Sequence, residues 1–429
     1  MLYGKYRTNM FKHEMYSENA YCNVGDSLQG VAMDYIYSQI PIDEKNVRYI
    51  ARDGDYNDEP HLGETIIAAY GGLFQTVKEN RIPLPAEFTP VFISTLIFQD
   101  FFNQYPELLK YIKQYEPVGC RDEQTKSILL RHGIKAYLMG CFTVCLPKRI
   151  HKPTDGKVFF VDTPEELNPL IPDGIRQKAI YISHAIPFAV YPVTVEEDIR
   201  QKEIAQEYLD RYRDEAEMVV TSRLHAAIPC MAMGIPVILI RDNFDFRFDW
   251  VDKFLPLYYL DEAEKINWNP LVIDLEETKE HIISYIKKSC LQLPGAERHL
   301  VELDNFYSSR DKVMPNKMIH KKIDNLFSSL KKTDIAYGIW GAGAHCRFVQ
   351  NIIQEKYPNA KLKVIVDKYV KGSLFGVSIV TGNMLPEYSI DHMFITTLPG
   401  KSEAITKMKE IYGSDAEKHY TVITSRVIC

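Results

Sequence analysis

Short runs of β-branched and aromatic residues alternate along the chain with longer stretches whose apolar positions recur at helical spacing. The runs TPVFIST (89–95), KVFFVD (157–162), KAIYISHA (178–185), EMVVTS (217–222), IPVILI (235–240), IAYGIWG (335–341), LKVIVD (362–367) and HMFITT (392–397) predict strands. Helical periodicity predicts helices over SLQGVAMDYIYSQ (27–39), EEDIRQKEIAQEYLDRYRDE (196–215) and EAITKMKEIYG (403–413). Strand runs that feed helices through short loops make βαβ units, so the predicted class is α/β with parallel sheets.

The pattern breaks twice. A polar, proline-bearing segment, PKRIHKPTDGK (147–157), separates a first α/β block from a second that restarts at VFFVD. Beyond about residue 276 the chain turns helical and charged, with Pro294 and Pro315 as breakers, before TDIAYGIWGAGAHCRF opens a third block. The expected organisation is two facing Rossmann-like halves, residues 1–150 and 151–332 with a helical linker, followed by a smaller C-terminal Rossmann-like domain over 333–429.

Composition narrows the function. A chain of 429 residues needs more than one core, and 46% hydrophobic with 25% charged residues is ordinary for globular domains. A net charge of -6 argues against broad nucleic-acid affinity, which requires a basic face. No apolar run is long enough to span a bilayer and the first residues lack a signal-peptide core, so a cytoplasmic protein with at most peripheral membrane contact is expected. The eight cysteines, at 22, 120, 141, 145, 230, 290, 346 and 429, form no CxxC pair and fit buried, reduced thiols. Cys141 and Cys145 sit among apolar neighbours, so no metal is expected there.

Chemistry concentrates at the strand-to-helix junctions. In TSRLHAAIPCMAMGIPVI (221–238), Ser222, Arg223, Leu224 and His225 fall at the carboxyl end of a strand, where open α/β sheets bind ligands. The following helix start adds unpaired N–H groups suited to a phosphate or carboxylate. Arg223 can grip such an anion bidentately, and His225 can move protons near neutral pH; pairing of Arg223 with a nearby carboxylate is the competing structural role. In NVGDSLQGVA (23–32), Gly25 permits close backbone approach and Asp26 can cap the helix or serve as acid or base. In VGCRDEQTKSILLRHGI (118–134), Arg121 and Asp122 precede a helix, and an aspartate cap with a solvated arginine is the alternative to a site.

These three junctions, in this order, resemble the polysaccharide pyruvyl transferase family, whose patterns run N-x-G-D, then R-D before a helix and a glycine, then S-R-L-H-x-x-I-x-x-x-x-x-G-x-P. The resemblance covers approximately residues 15 to 255. It implies a GT-B-like pair of Rossmann-like halves with the active site in the cleft, phosphoenolpyruvate as donor and a sugar as acceptor. Two hydroxyls of that sugar are bridged by a pyruvate ketal and phosphate is released. It further implies that Arg223, the Leu224 backbone and His225 bind the donor, with Arg121 a further anion ligand and Asp26 an acid or base. No cofactor is implied, and a lipid-linked glycan precursor is among the acceptors allowed.

Outside these motifs, IRDNFDFRFDW (240–250) should line the same cleft, with Arg247 a further donor contact, and His184 ends a strand on the same face. In the third block, Gly338, Gly341 and Gly343 follow a strand but Cys346 stands where a G-x-G-x-x-G fingerprint wants glycine. Gly341, Gly343 and Asp367 are therefore candidate nucleotide-binding residues, weighed against a purely structural domain. Two rival functions share this pattern: a GT-B glycosyltransferase using a nucleotide sugar, and a non-catalytic nucleotide- or sugar-binding protein.

Overall fold

In the computed structural model the described residues are 1–7, 21–52, 62–71, 83–97, 107–187, 194–241, 245–310, 317–330, 332, 334–397 and 400–423. The first seven strands are β1 (Leu2–Arg7), β2 (Tyr21–Asn23), β3 (Val47–Ala51), β4 (Thr65–Gly71), β5 (Phe88–Thr95), β6 (Val118–Cys120) and β7 (Ala136–Leu138). All but β2 form a parallel sheet in the order β3-β1-β4-β5-β6-β7. Every residue of β4, TIIAAYG, is buried, as expected of a central strand covered on both faces. Its Tyr70 meets Phe142 edge-on at 4.7 Å, fastening the sheet to the short helical turn Phe142–Cys145. Helices α1 (Val24–Ser38), α2 (Glu107–Gln114) and α3 (Glu123–Arg131) complete this half.

The second sheet is also parallel, ordered β13-β12-β11-β8-β9, from β8 (Lys157–Val161), β9 (Ala179–Ile182), β11 (Ala216–Thr221), β12 (Val237–Arg241) and β13 (Leu257–Tyr259). Alternate residues of the central strands (Val158 and Phe160, Met218 and Val220, Ile238 and Ile240) share one core cluster with Leu167 and Tyr258. At about 1.5–3 kcal/mol per fully buried large apolar side chain, such a face is what commits the strands to this register. Helices α4 (Val195–Glu215) and α5 (Leu224–Ala232) belong to this half, and α1 of the first half packs against both. Strand β10 (Ala185–Pro187) leaves the sheet and pairs antiparallel with β2, matching Ala185 to Asn23 and Pro187 to Tyr21.

The chain then returns to the first half. Helices α6 (Glu276–Cys290) and α7 (Ala296–Ser308) pack on each other, and α7 reaches β7 through Tyr137 Oη donating to Glu297 at 2.7 Å and Leu138 N–H donating to Asp304 at 2.8 Å. Residues 1–241 and 246–314 thus belong to one compact unit, and the chain from 315 onward supplies nearly all of a second.

That second unit holds α8 (Lys317–Leu330) and a six-stranded sheet of β14 (Ala336–Trp340), β15 (Lys361–Val366), β16 (Gly372–Leu374), β17 (Val377–Val380), β18 (His392–Ile395) and β19 (Tyr420–Val422). The order is β16-β17-β15-β14-β18-β19, parallel except for the β16–β17 hairpin, with α9 (Ala344–Lys356) and α10 (Lys401–Tyr412) beside it. The protein is therefore α/β with three parallel sheets, consistent with Rossmann-like domains. Among the described residues, no helix is long and apolar enough to cross a membrane. Seven cysteines are buried thiols outside any disulfide, while Cys429 lies outside the described residues.

Candidate functional site

The β2–β10 ribbon brings the first and third motifs together. Val24 N–H donates to His184 O at 2.8 Å, and the Asn23 side chain caps α1 by accepting from Gly25 N–H at 3.1 Å. The cap is therefore Asn23, not Asp26: a capping carbonyl must precede the first free amides, and Asp26 already lies inside the first turn. Gly25 is the contact point. A Cβ there would stand 2.9 Å from His225 Cβ and 3.0 Å from its Nδ1, so the glycine is what lets α1 touch the imidazole.

At the end of β11, Thr221 Oγ1 donates to Val161 O at 3.1 Å and accepts from Arg223 N–H at 2.9 Å, turning the chain into α5. Arg223 occupies the N-cap position in extended conformation, and its side chain makes no capping bond. It goes instead to Asp162, with Nε donating at 2.8 Å. Asp162 is the organiser of this edge. It adopts a left-handed φ of 48°, and its carboxylate also accepts from Ser183 Oγ at 2.6 Å and His184 N–H at 2.9 Å. Its backbone carbonyl takes the Ser222 hydroxyl at 2.6 Å. A non-glycine residue held at positive φ at a strand end costs roughly 1–3 kcal/mol, and these bonds hold it there.

His225 opens α5. Its Nε2 is sealed from solvent and has no hydrogen-bond partner among the described residues. Burial, reinforced by Arg121, Arg247, His184 and Arg52, pushes its pKa well below the usual histidine value, so it is neutral at pH 7. Four other cationic or imidazole side chains thus converge electrostatically on one ring, and they come from both halves of the unit. Arg121, at the end of β6, is buried with its amide bonded to Thr95 O at 2.9 Å. Its neighbour Asp122 is the N-cap of α3, accepting from Thr125 N–H at 2.7 Å. Arg247 sits in the short turn Phe246–Phe248, while Asp242, Asn243 and Phe244 of the same stretch lie outside the described residues. The adjoining Asp249 accepts from Glu123 N–H at 3.1 Å, tying that turn to the start of α3.

Asp26 accepts from Gln29 Nε2 at 3.0 Å and stands 3.7 Å from Arg52, at the end of β3. His184 is fully buried, its Nε2 2.7 Å from Tyr212 Oη. Burial lowers its pKa to about 4, with Asp162 opposing and Arg223 adding to the fall. The donor set around His225 is rich in guanidinium and imidazole, which suits an anion. Asp162 and Arg52 are the members that sequence patterns do not single out. The only signal for Asp162 is an acidic residue ending the strand KVFFVD, and Arg52 has none. Arg241, at the end of β12, also approaches, donating to Ser222 O at 2.7 Å and covering the Phe248 ring at 4.4 Å.

The candidate nucleotide residues lie in the other unit. Gly341 has a φ of 104°, and a Cβ on it would stand 2.7 Å from Thr397, so close packing against the β18 loop requires glycine. Gly343 precedes α9 with open space where a Cβ would be. Asp367 is engaged with its own loop: one oxygen accepts from Ala342 N–H at 2.9 Å, the other from Tyr369 and Val370 N–H at 2.9 and 3.0 Å. Cys346 is fully buried in α9.

A cluster of guanidinium and imidazole groups on the strand ends of two parallel sheets has the charge to hold an anion. The profile of the family described as polysaccharide pyruvyl transferase matches residues 23–243, and the chain belongs to that family. Membership implies an enzyme with a pyruvyl donor and a polysaccharide acceptor. No curated protein matches the chain significantly. A solved structure described as a functional uncharacterized protein, KP1_0663 from Klebsiella pneumoniae subsp. pneumoniae NTUH-K2044, is similar at 14% identity over 58% of this chain and 88% of that one, with a TM-score of 0.33.

Proposed function

We propose that the chain transfers pyruvate from phosphoenolpyruvate to two hydroxyls of a sugar in a polysaccharide precursor, forming a ketal and releasing phosphate. The observation that carries this reading is His225, packed through Cβ and Nδ1 against Gly25, its sealed Nε2 without a partner among the described residues and under the charge of Arg121, Arg247 and Arg52. A small anion carrying both phosphate and carboxylate matches that charge without a metal.

In this reading Arg121 and Arg247 meet the donor charges, joined by the first amides of α5 at Leu224 and His225. Arg223 is held through Nε by Asp162, which leaves its terminal nitrogens to face the anion. Ser222 and His184 shape the same edge through Asp162. Donor charge offsets the arginines that depress the His225 pKa, so binding protonates the imidazole. His225 then gives that proton to the donor methylene carbon, and the electron-poor carbon so formed accepts the first hydroxyl. Asp26 takes a hydroxyl proton. Phosphate leaves with the C–O bonding pair, and the second hydroxyl closes the ring as its proton passes to the now neutral His225. Both hydroxyls must be held in place for that step, so orientation carries as much of the rate as acidity.

The test is phosphoenolpyruvate-dependent phosphate release with a panel of glycosides, coupled to detection of a new ketal methyl by NMR. Release together with the methyl signal supports the reading. Absence of turnover on every acceptor, with tight nucleotide-sugar binding in the cleft, replaces it with a glycosyltransferase. Arg223→Ala should weaken donor binding, and unchanged affinity removes that residue from the donor site.

A further inference from the structure

Helices α6 and α7 meet at a group of side chains that the transfer reaction does not use. His281 on α6 and His299 on α7 bring their Nδ1 atoms to 3.2 Å. Glu302, one turn beyond His299, places Oε2 3.2 Å from His281 Nδ1 and 4.0 Å from His299 Nδ1. We propose that His281, His299 and Glu302 form a binding site for a divalent transition metal of the zinc class, pinning α6 to α7.

Geometry is the first argument. Tetrahedral zinc with bonds of about 2.0–2.2 Å holds its ligand atoms roughly 3.3–3.5 Å apart, close to the spacing seen. Only the His299–Glu302 separation is long, and a small rotation of the glutamate closes it. The second argument is the proton count. His281 Nδ1 faces two neighbours at equal distance but carries at most one hydrogen, which can point to only one of them. Protonating both imidazoles at Nδ1 would set two N–H groups head to head. A dication gives all three lone pairs a partner at once.

The surroundings supply the remaining features of a site. Arg298 Nε donates to the other glutamate oxygen, Oε1, at 2.7 Å, which turns Oε2 toward the imidazoles. The three side chains are 18–32% exposed, so an ion can enter and a water can complete the coordination. Arg298 and Lys288 are the cations near His299, and both oppose a second positive charge, which places the affinity below that of an all-acidic cage. The consequence of binding is mechanical. Helix α7 holds the first half through Glu297 and Asp304, and α6 through Tyr285 Oη donating to Pro117 O at 3.3 Å. A metal between them stiffens the clasp that returns from the second half.

The full chain, prepared without a histidine tag and stripped by chelator, is dialysed against zinc and assayed by elemental analysis, with cobalt as a spectroscopic probe. The expected result is one equivalent of zinc, a tetrahedral cobalt absorption band and a metal-dependent rise in melting temperature. His299→Ala and, separately, Glu302→Gln should each lower affinity by at least the roughly 10–100-fold that losing a supporting partner costs at metal sites. Circular dichroism confirms that the variants fold, and two independent variants guard against one that does not. A wild-type chain that takes up no zinc, or zinc bound equally by the wild type and both variants, overturns the site and leaves a hydrogen-bonded histidine pair.

Discussion

The strand ends that surround His225 and the glycine loop between β14 and α9 are all strand-to-helix junctions and differ in what they leave open. Around His225, the buried Nε2 has no partner among the described residues, and the N-cap side chain of α5 turns away to Asp162. In the β14–α9 loop, Asp367 already accepts the amide of Ala342 and those of its own turn. A phosphate-binding loop has to keep its donors unsatisfied, and the β14–α9 loop spends part of its capacity on itself. Glycine spacing reports backbone shape. Concentrated charge beside a buried nitrogen with no partner among the described residues marks a candidate site.

That contrast breaks most sharply at His225. His225→Ala should lower turnover by about 10²–10⁴-fold while donor still binds, the span expected for losing a positioned proton donor, measured by steady-state phosphate release and donor calorimetry. Unchanged turnover would remove the proton-transfer role. Gly25→Ala tests the contact from the other side. Its Cβ would lie 2.9 Å from His225 Cβ, so a shift costing about 1–3 kcal/mol is expected, with activity falling more than the melting temperature implies.

The pH response sharpens the same comparison. His184 has a folded pKa of about 4 against about 6.5 unfolded, so between those values the unfolded chain binds more protons. Its contribution is therefore fully present above about pH 6.5 and is lost as pH falls toward 4, at up to about 1.4 kcal/mol per pH unit. His225 acts in the same direction. Denaturant titrations across that window should show stability falling with pH in the wild type and a shallower slope in His184→Asn. The smallest effect belongs to the C-terminal unit. Asp367→Asn should cost about 1 kcal/mol of local stability through its amide bonds and leave phosphate release unchanged. A loss of turnover there would make the loop part of the reaction.

Much of this architecture is legible from periodicity, because parallel strands buried on both faces read as compact apolar runs. VVT of β11 and VILI of β12 are examples, and α4 begins at Val195, one residue before the predicted start. The misreadings have local causes. KAIYISHA reads as one strand but divides at Ser183 and His184, where Asp162 captures a hydroxyl and an amide and sends the chain to pair with β2. The run TIIAAYG of β4 carries the same β-branched and aromatic signal between Gly63 and Gly72, yet it is absent from the predicted strands. The site is legible where a motif carries its own residues, as at Gly25, Arg121 and His225. Asp162 and Arg52 join it through contacts across long stretches of chain, which no local pattern encodes.

The three-residue ribbon of β2 and β10 joins the two halves through the main chain, with Asn23 in register with Ala185 and Val24 N–H donating to His184 O. Backbone bonds ask nothing of side-chain chemistry, so what the ribbon fixes is spacing. It sets the start of α1, and with it Gly25, against His225, and a side-chain substitution on the ribbon can alter that fit only by moving the main chain.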